Sequence, residues 1–436
     1  MCKKAHEHDR TIIAGPRDSI RGHLKRVSRA LTRVADLSGS SCCVRSPALL
    51  AEELKDCVGG LVGEPSLVCA FCTEPKPAWC GCKLDATSFF TAVDRDAAIA
   101  AALESIAKAS RQRYTGILIC KEGNKGDKAL RGLVYDRSRY WFISLETIRA
   151  ALQWLHHDVL FALGCKVFRQ KGGLPQGSTF SPILARFYLD KAHRMLFKHP
   201  RPILNEAARH LRVLGKVQRW TAIKVHVDDS FWCSQRLCAG CICLMAARTW
   251  PSDVGLSVED DGAEWVFLHC RVSFGAGVLD VPLKVDYQIK NADFAAGLEH
   301  HAPVSVFPPY VRGFSTAEHL QLAAGAHIRL IAGCYRKNGE CAEHSEKIVS
   351  VVCELVRLGW PRKLVVGFLF KFDHYMFPHT QTRCRAIAVW IRRHKTWYRL
   401  ARKTAHSGPN ADGSTHRAFF EYLLEGSNRA PRIEQT

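Results

Sequence analysis

Two acidic sites in this 436-residue chain stand where acids are costly. Asp85 follows an apolar approach and precedes Phe89 and Phe90. Asp228 and Asp229 interrupt the apolar segment AIKVHVDDSFWC at residues 222–233. Aspartate is depleted in strands, and a carboxylate there is expensive unless paired or metal-bound. A tandem pair adds like-charge repulsion, and a divalent cation is the natural relief. If the Asp85 strand lies beside the Asp228 strand, three carboxylates converge on one spot. Hard oxygen donors of this kind suit Mg²⁺, with Mn²⁺ as an alternative ion. Two such ions activate a hydroxyl and stabilise a leaving pyrophosphate, which is nucleotidyl-transfer chemistry. Taken alone, the Asp228-Asp229 pair also fits a solvated strand end or hairpin turn.

The elements needed to position these acids are legible in part. Apolar residues at helical spacing predict an amphipathic helix around Ile20–Leu37. Residues 41–84 are Cys- and Gly-rich and carry no clear periodicity. Residues 83–93 read as a strand running into a turn. Residues 94–111 are Ala-rich behind an acidic cap and read as a helix. Residues 116–120 and 133–144 flank the charged turn KEGNKGDK and read as a hairpin. A helix is expected over 145–164, ending at Gly164. A Gly/Pro-rich turn and a helix at 181–198 follow. Residues 265–285 read as a hairpin turning at Gly275–Gly277, and the pattern becomes helical from about residue 316.

Four segments, taken together, resemble reverse transcriptases. KLDATSFFTAVD (83–94) is similar to their first palm motif, an Asp on a strand followed by an aromatic pair. GGLPQGSTFSPILARFYLD (172–190) resembles the second, LPQGS followed by Ser-Pro and a helix. HVDDSFW (226–232) resembles the third, the tyrosine-x-Asp-Asp hairpin, and WVFLHCRV (265–272) the later strand near the primer grip. They occur in the family's order. The stretch from 143 to 190, with AGAHIRLIAGCYRKNG (324–339) and RLGWPRKLV (357–365), resembles the Penelope-like and telomerase-like branch.

The resemblance, which covers roughly residues 83–372, implies an α+β right-hand polymerase fold. In it an antiparallel palm sheet is backed by helices, with partial fingers and a helical thumb. The implied divisions are 1–82 as an N-terminal or partial fingers region, 83–295 as palm with interleaved fingers, 296–376 as thumb and 377–436 as a basic tail. It implies metal binding by Asp85 and Asp228 with Asp229 in support, and nucleotide contacts from Ala86, Phe90, Gln176 and Gly177. Phe90, five residues after Asp85, falls at the steric-gate position that favours deoxynucleotides. The implied partners are an RNA template, a DNA primer or product and deoxynucleoside triphosphates. The implied function is RNA-directed DNA synthesis from a mobile element of retrotransposon type.

Departures from the family's pattern keep two other readings open. His226 stands where an aromatic Tyr or Phe is usual. The fourth motif, around GLSVEDDGAEW (255–265), lacks its usual Lys, and neither Lys284 nor Lys290 is assigned that role. The first 84 residues show no clear fingers motif. One alternative is therefore an inactive palm that only binds nucleic acid. The other is an RNA-templated RNA polymerase, against which Phe90 argues.

The remaining features concern partners and metals. Lys and Arg total 62 against 41 acids, a formal charge of +21 that favours a polyanionic partner. The segment 383–403 interleaves cations with aromatics, and Arg392, Arg393, Lys395 and Arg399 are candidate nucleic-acid contacts. It reads equally well as an amphipathic helix packed on the thumb. Cys69-x-x-Cys72 is followed by Cys80-x-Cys82, whose C-x-C spacing suits a closed zinc site poorly. Cys233, Cys238, Cys241 and Cys243 are irregularly spaced. Zinc is not expected, and the 19 cysteines read as reduced thiols. A polar start and the lack of an 18-residue apolar run lead to the expectation of an intracellular protein, nuclear or cytoplasmic, with no membrane partner. No phosphate-binding G-x-x-x-x-G-K-[ST] loop is present.

Overall fold

A computed structural model describes residues 20–39, 41–61, 66–123, 126–157, 160–163, 166–175, 178–198, 220–252, 254–260, 264–274, 283–288, 307–335, 342–372, 377–395 and 398. The chain is a mixture of helices and antiparallel sheets. It divides into two compact units, one within 3–44 and 57–265, the other within 45–56 and 266–436. Among the described residues no helix is long and apolar enough to cross a membrane.

The first unit begins with α1 (Ile20–Leu37), whose apolar stripe Val27, Leu31 and Val34 is fully buried. After a 3-10 turn at Pro47–Leu49 and α2 (Leu50–Gly59), most of which belongs to the second unit, comes β1 (Cys80–Thr87). The short α3 (Phe89–Ala92) and the long α4 (Arg95–Arg111) follow. Asp94 caps α4, accepting the backbone N–H groups of Asp96 at 2.9 Å and Ala97 at 3.2 Å. A small sheet then runs in the order β3 (Lys128–Leu130), β2 (Gly116–Cys120), β4 (Tyr140–Ser144). The expected pairing of 116–120 with the 133–144 segment is present, confined to Tyr140–Ser144. Lys128, the last residue of the charged turn, begins an added edge strand β3, and residues 133–139 are not strand.

The helix expected over 145–164 is also shorter. It is α5 (Leu145–His157), and the last part of that segment pairs instead as β5 (Leu160–Leu163) with β6 (Lys166–Arg169). Gly164 lies outside the described residues. The helix after the Gly/Pro-rich turn is α6 (Ser181–Lys198).

A four-stranded antiparallel sheet carries the acids. Its order is β7 (Thr221–His226), β8 (Asp229–Ser234), β1, then β9 (Gly255–Asp260), with α7 (Ala239–Thr249) between β8 and β9 in sequence. Alternation divides its faces. Cys80, Cys82, Leu84 and Ala86 of β1, Trp232 of β8, and Ile223 and Val225 of β7 share one face and join the main core with α1, α4 and α6. Asp85, Lys83, Asp229, His226 and Lys224 share the other. The Gly81 end of that polar face is covered by Trp265, which packs 5.5 Å from Phe231 and against Gly81.

The second unit takes over around β10 (Glu264–Phe267). Besides most of α2 it holds, among the described residues, the antiparallel pair β11 (Cys270–Ser273) and β12 (Lys284–Tyr287) and the helices α8 (Ala317–Cys334), α9 (Ala342–Arg357), α10 (Arg362–Lys371) and α11 (Pro378–Arg393). The turn expected at Gly275–Gly277 lies outside the described residues. The Tyr287 hydroxyl lies 2.8 Å from Nδ1 of His327, which also meets Phe307 edge-on. Burial, helped by His269, holds His327 down at about 3.

Two outcomes follow. Removing the α4 cap with Asp94→Ala lowers unfolding free energy by about 1 kcal/mol in a urea titration. The His327 value lies below that of an unfolded histidine, so the unfolded chain binds the extra proton. The stabilisation is complete above the unfolded value and is lost as pH falls from there towards the folded one. Urea midpoints of the wild type should drop over that range, and His327→Gln, which keeps a side-chain acceptor, should flatten the slope.

Candidate functional site

The three acids named from sequence meet at the end of the four-stranded sheet. Asp85 of β1 is in register with Asp229 of β8, and Asp229 with His226 of β7. On the other side Asp85 is in register with Ser257 of β9, whose hydroxyl donates to the Asp85 carbonyl at 3.3 Å. One row of polar side chains thus crosses all four strands. Directly opposed residues of an antiparallel pair place their Cβ atoms about 4.5–5.5 Å apart, so like charges there repel. Asp85 is buried, while Asp228 and Asp229 are half-buried.

Asp228 sits in the two-residue turn between β7 and β8. Its carbonyl accepts the N–H of Ala86 at 2.8 Å, which ties the turn to β1 next to Asp85. The turn forces Val227 to φ +57°, a left-handed conformation that a β-branched residue rarely adopts. Strain of this kind costs about 1–3 kcal/mol and persists where the surroundings over-determine it. His226, half-buried beside the acids, is held below the usual histidine range by burial, against the opposing pull of Asp229 and Asp228.

Phe90 lies on α3, half-buried and edge-on to the buried Phe89, which in turn packs on Trp250. The LPQGS loop docks on this segment. The Leu174 N–H donates to the Phe90 carbonyl at 2.6 Å. Gly173 has φ +71°, and a Cβ there would fall 2.6 Å from the Phe90 carbonyl and 2.8 Å from that of Thr91. Only glycine permits both the conformation and the approach. Ser181, at the start of α6, donates to the Pro175 carbonyl at 2.5 Å. Gln176 and Gly177 lie outside the described residues.

Three contributors escaped the sequence reading. Arg95, the first residue of α4, is buried and donates to the carbonyls of Gly173 at 2.8 Å and of Gln170 and Gly172 at 3.2 Å. It fixes the glycine loop from below; its only signal was a cation directly behind the Asp94 cap. Lys83 and Lys224 are 4% and 8% exposed and stand two residues from Asp85 and His226, on the acidic face of the sheet. Their Lys-x-Asp and Lys-x-His spacing was the available signal.

The other named positions lie elsewhere. Arg392, Arg393 and Lys395 are exposed at and just past the end of α11, in the second unit, whereas Arg399 and Lys290 lie outside the described residues. Ile387 and Ile391 of α11 are buried. Lys284 is exposed on β12. Cys69 and Cys72 do not join Cys80 and Cys82. They join Cys238 and Cys241 instead.

No protein-family model and no curated protein sequence matches the chain. Among solved structures it is similar to a telomerase of Candida albicans in complex with a TWJ fragment of telomeric RNA. That match has 11% identity and a TM-score of 0.45, over 94% of this chain and 59% of that one. It is also similar to apo telomerase of Candida tropicalis, with 13% identity and a TM-score of 0.38, over 93% and 59%. The Candida tropicalis complex gives 12%, 0.40, 93% and 57%. The chain spans less than two thirds of each matched chain. At these TM-scores the likeness decides neither fold nor function, which rest on the residues themselves.

The glycine loop yields a paired test. Gly173→Ala should cost more than about 1 kcal/mol of unfolding free energy, because φ and the Phe90 carbonyl both oppose it. Gly172→Ala, with nothing within 4 Å of its Cβ position, should stay within about 0.5 kcal/mol. Equal costs measured by urea denaturation would remove the close-approach argument.

Proposed function

We propose that the first unit is a reverse-transcriptase-type palm that joins deoxynucleotides to a primer on an RNA template. The observation that carries this reading is the register of Asp85 with Asp229, with the Asp228 turn tied to Ala86. The order of the four resembling motifs along the chain supports it, as does the docking of the LPQGS loop on the Phe90 segment.

The donor set fits magnesium. Asp85, Asp228 and Asp229 offer only hard carboxylate oxygens, and their placement on adjoining strands creates a concentration of negative charge. Two bound Mg²⁺ ions would supply charge neutralisation at the triphosphate and activation of a primer 3′-hydroxyl. The protein's part is positioning. Asp85 and Asp228 hold the metals, with Asp229 in support. Ala86 anchors the Asp228 turn through its N–H. Arg95 and Gly173 hold the loop that leads to Gln176 and Gly177, proposed to meet the nucleotide and template. Phe90 presents a ring against a 2′-hydroxyl and selects deoxynucleotides. Arg392, Arg393, Lys395 and Arg399 would contact phosphates of the template or product strand.

The test is primer extension on poly(rA)/oligo(dT) with Mg²⁺. The wild type should add deoxythymidine, and Asp85→Ala and Asp228→Ala should lose extension while still binding the duplex. Phe90→Ala should raise ribonucleotide addition relative to deoxynucleotide by about tenfold or more. Binding without extension by the wild type would replace this reading with the inactive-palm one. Extension by the wild type with ribonucleotides alone would replace it with an RNA polymerase.

A further inference from the structure

Two cysteine pairs separated by 166 residues meet at the end of the sheet remote from the acids. Cys69 and Cys72 sit in a tight hairpin turn. The Cys69 N–H donates to the Glu74 carbonyl at 2.9 Å, the Thr73 N–H returns to the Cys69 carbonyl at 3.1 Å, and Val68 bridges Pro75. Thr73 there adopts φ +61°. Cys238 caps α7, and Cys241 lies in its first turn. The two segments are joined through their backbones. The Ser66 N–H donates to the Gln235 carbonyl at 3.1 Å and the Ala70 N–H to that of Arg236 at 2.8 Å.

We infer that Cys69, Cys72, Cys238 and Cys241 form a structural zinc site that staples β1 to β8. Their four sulfurs all lie within 4.8 Å of one another, with Cys72 and Cys238 3.6 Å apart. A tetrahedron of about 2.3 Å zinc–sulfur bonds spaces its sulfurs about 3.8 Å apart, so the cage matches with little movement. Each pair has the C-x-x-C spacing of a zinc knuckle. Backbone N–H groups already point at the sulfurs: Phe71 and Cys238 donate to Cys69 Sγ at 3.5 and 3.3 Å, and Cys241 donates to Cys238 Sγ at 3.4 Å. Such donors stabilise thiolates. Zinc would take four thiolates and release up to four protons to solvent, leaving a net charge of −2. Between the Cys69–Cys72 hairpin and β1, the buried Lys76 donates its ammonium to the carbonyls of Pro77 at 2.7 Å and Ala78 at 3.2 Å.

The neighbouring thiols are excluded by geometry. The sulfurs of Cys80 and Cys82, on β1, are not among the four that converge. Cys243 lies further along α7, beyond the sulfurs that converge.

The site has a mechanical consequence. Cys80 of β1 is in register with Ser234 of β8, at the end of the ladder opposite Asp85 and Asp229. The Cys69–Cys72 hairpin leads into β1, and Cys238–Cys241 follows β8. A metal bridging them fixes the register of the two strands without touching the acids. The inference is independent of polymerase activity.

The full chain, expressed with zinc and purified under reducing conditions, should carry about one zinc per chain by elemental mass spectrometry. Cobalt-substituted protein should show intense thiolate-to-metal charge-transfer and tetrahedral d–d absorption. Cys72→Ser with Cys241→Ser should lose the metal and the cobalt bands, and amide exchange at 80–84 and 230–234 should speed up. Cys243→Ser should keep both. A wild type free of metal, metal retained by the double variant, or a Cys72–Cys238 disulfide by intact-mass analysis each overturns the inference.

Discussion

The constraint on which the first unit depends is the register of β1 against β8. With Asp85 opposite Asp229, the core face of the sheet receives Cys82, Leu84, Ala86 and Trp232, and the polar face receives the acids and two lysines. A slip of one residue would exchange the faces, putting Asp85 into the apolar core and Leu84 beside the acids. Burial of the apolar face therefore enforces an arrangement that electrostatics alone opposes. The hydrophobic term decides because it acts along the whole length of both strands, whereas the repulsion acts at one end.

The size of that repulsion can be set against the charges beside it. Two carboxylates about 5 Å apart repel by roughly 3 kcal/mol at an effective dielectric of 20, and a lysine about 7 Å away along the strand returns roughly 2. Lys83 and Lys224 stand two residues behind the row on the same face, so they offset part of the repulsion. Asp228 adds a further negative charge at the turn. Three acids and two lysines are thus gathered into one charged group by a single strand register.

Much of this was legible in the sequence where a local rule acts alone. The helical periodicity of 20–37, the Asp94 cap and the Ser-Pro start of α6 each mark an element whose residues suffice to specify it. The acids were legible because they break the strand pattern. What failed to show was everything set by pairing across long separations. Lys128 reads as the end of the charged turn, and Ala129-Leu130 is too short an apolar run to mark a strand, yet the three pair with Gly116–Leu118. Residues 160–163 looked like the end of a helix because an apolar run of four cannot distinguish helix from strand. Arg95 looked like surface charge because the carbonyls it holds lie more than 70 residues away.

The cysteines show the same limit most sharply. By sequence proximity Cys69 and Cys72 pair with Cys80 and Cys82, and the resulting C-x-C is a poor zinc ligand set. The strand period puts Cys80 and Cys82 together on one face of β1, and neither sulfur is among the four that converge. The partners that remain are those the same register delivers. Because β1 and β8 run antiparallel, the segment entering β1 must lie beside the segment leaving β8, and those segments carry the two C-x-x-C pairs. The placement of the acids at one end and of the four sulfurs at the other is thus a single consequence of one strand pairing.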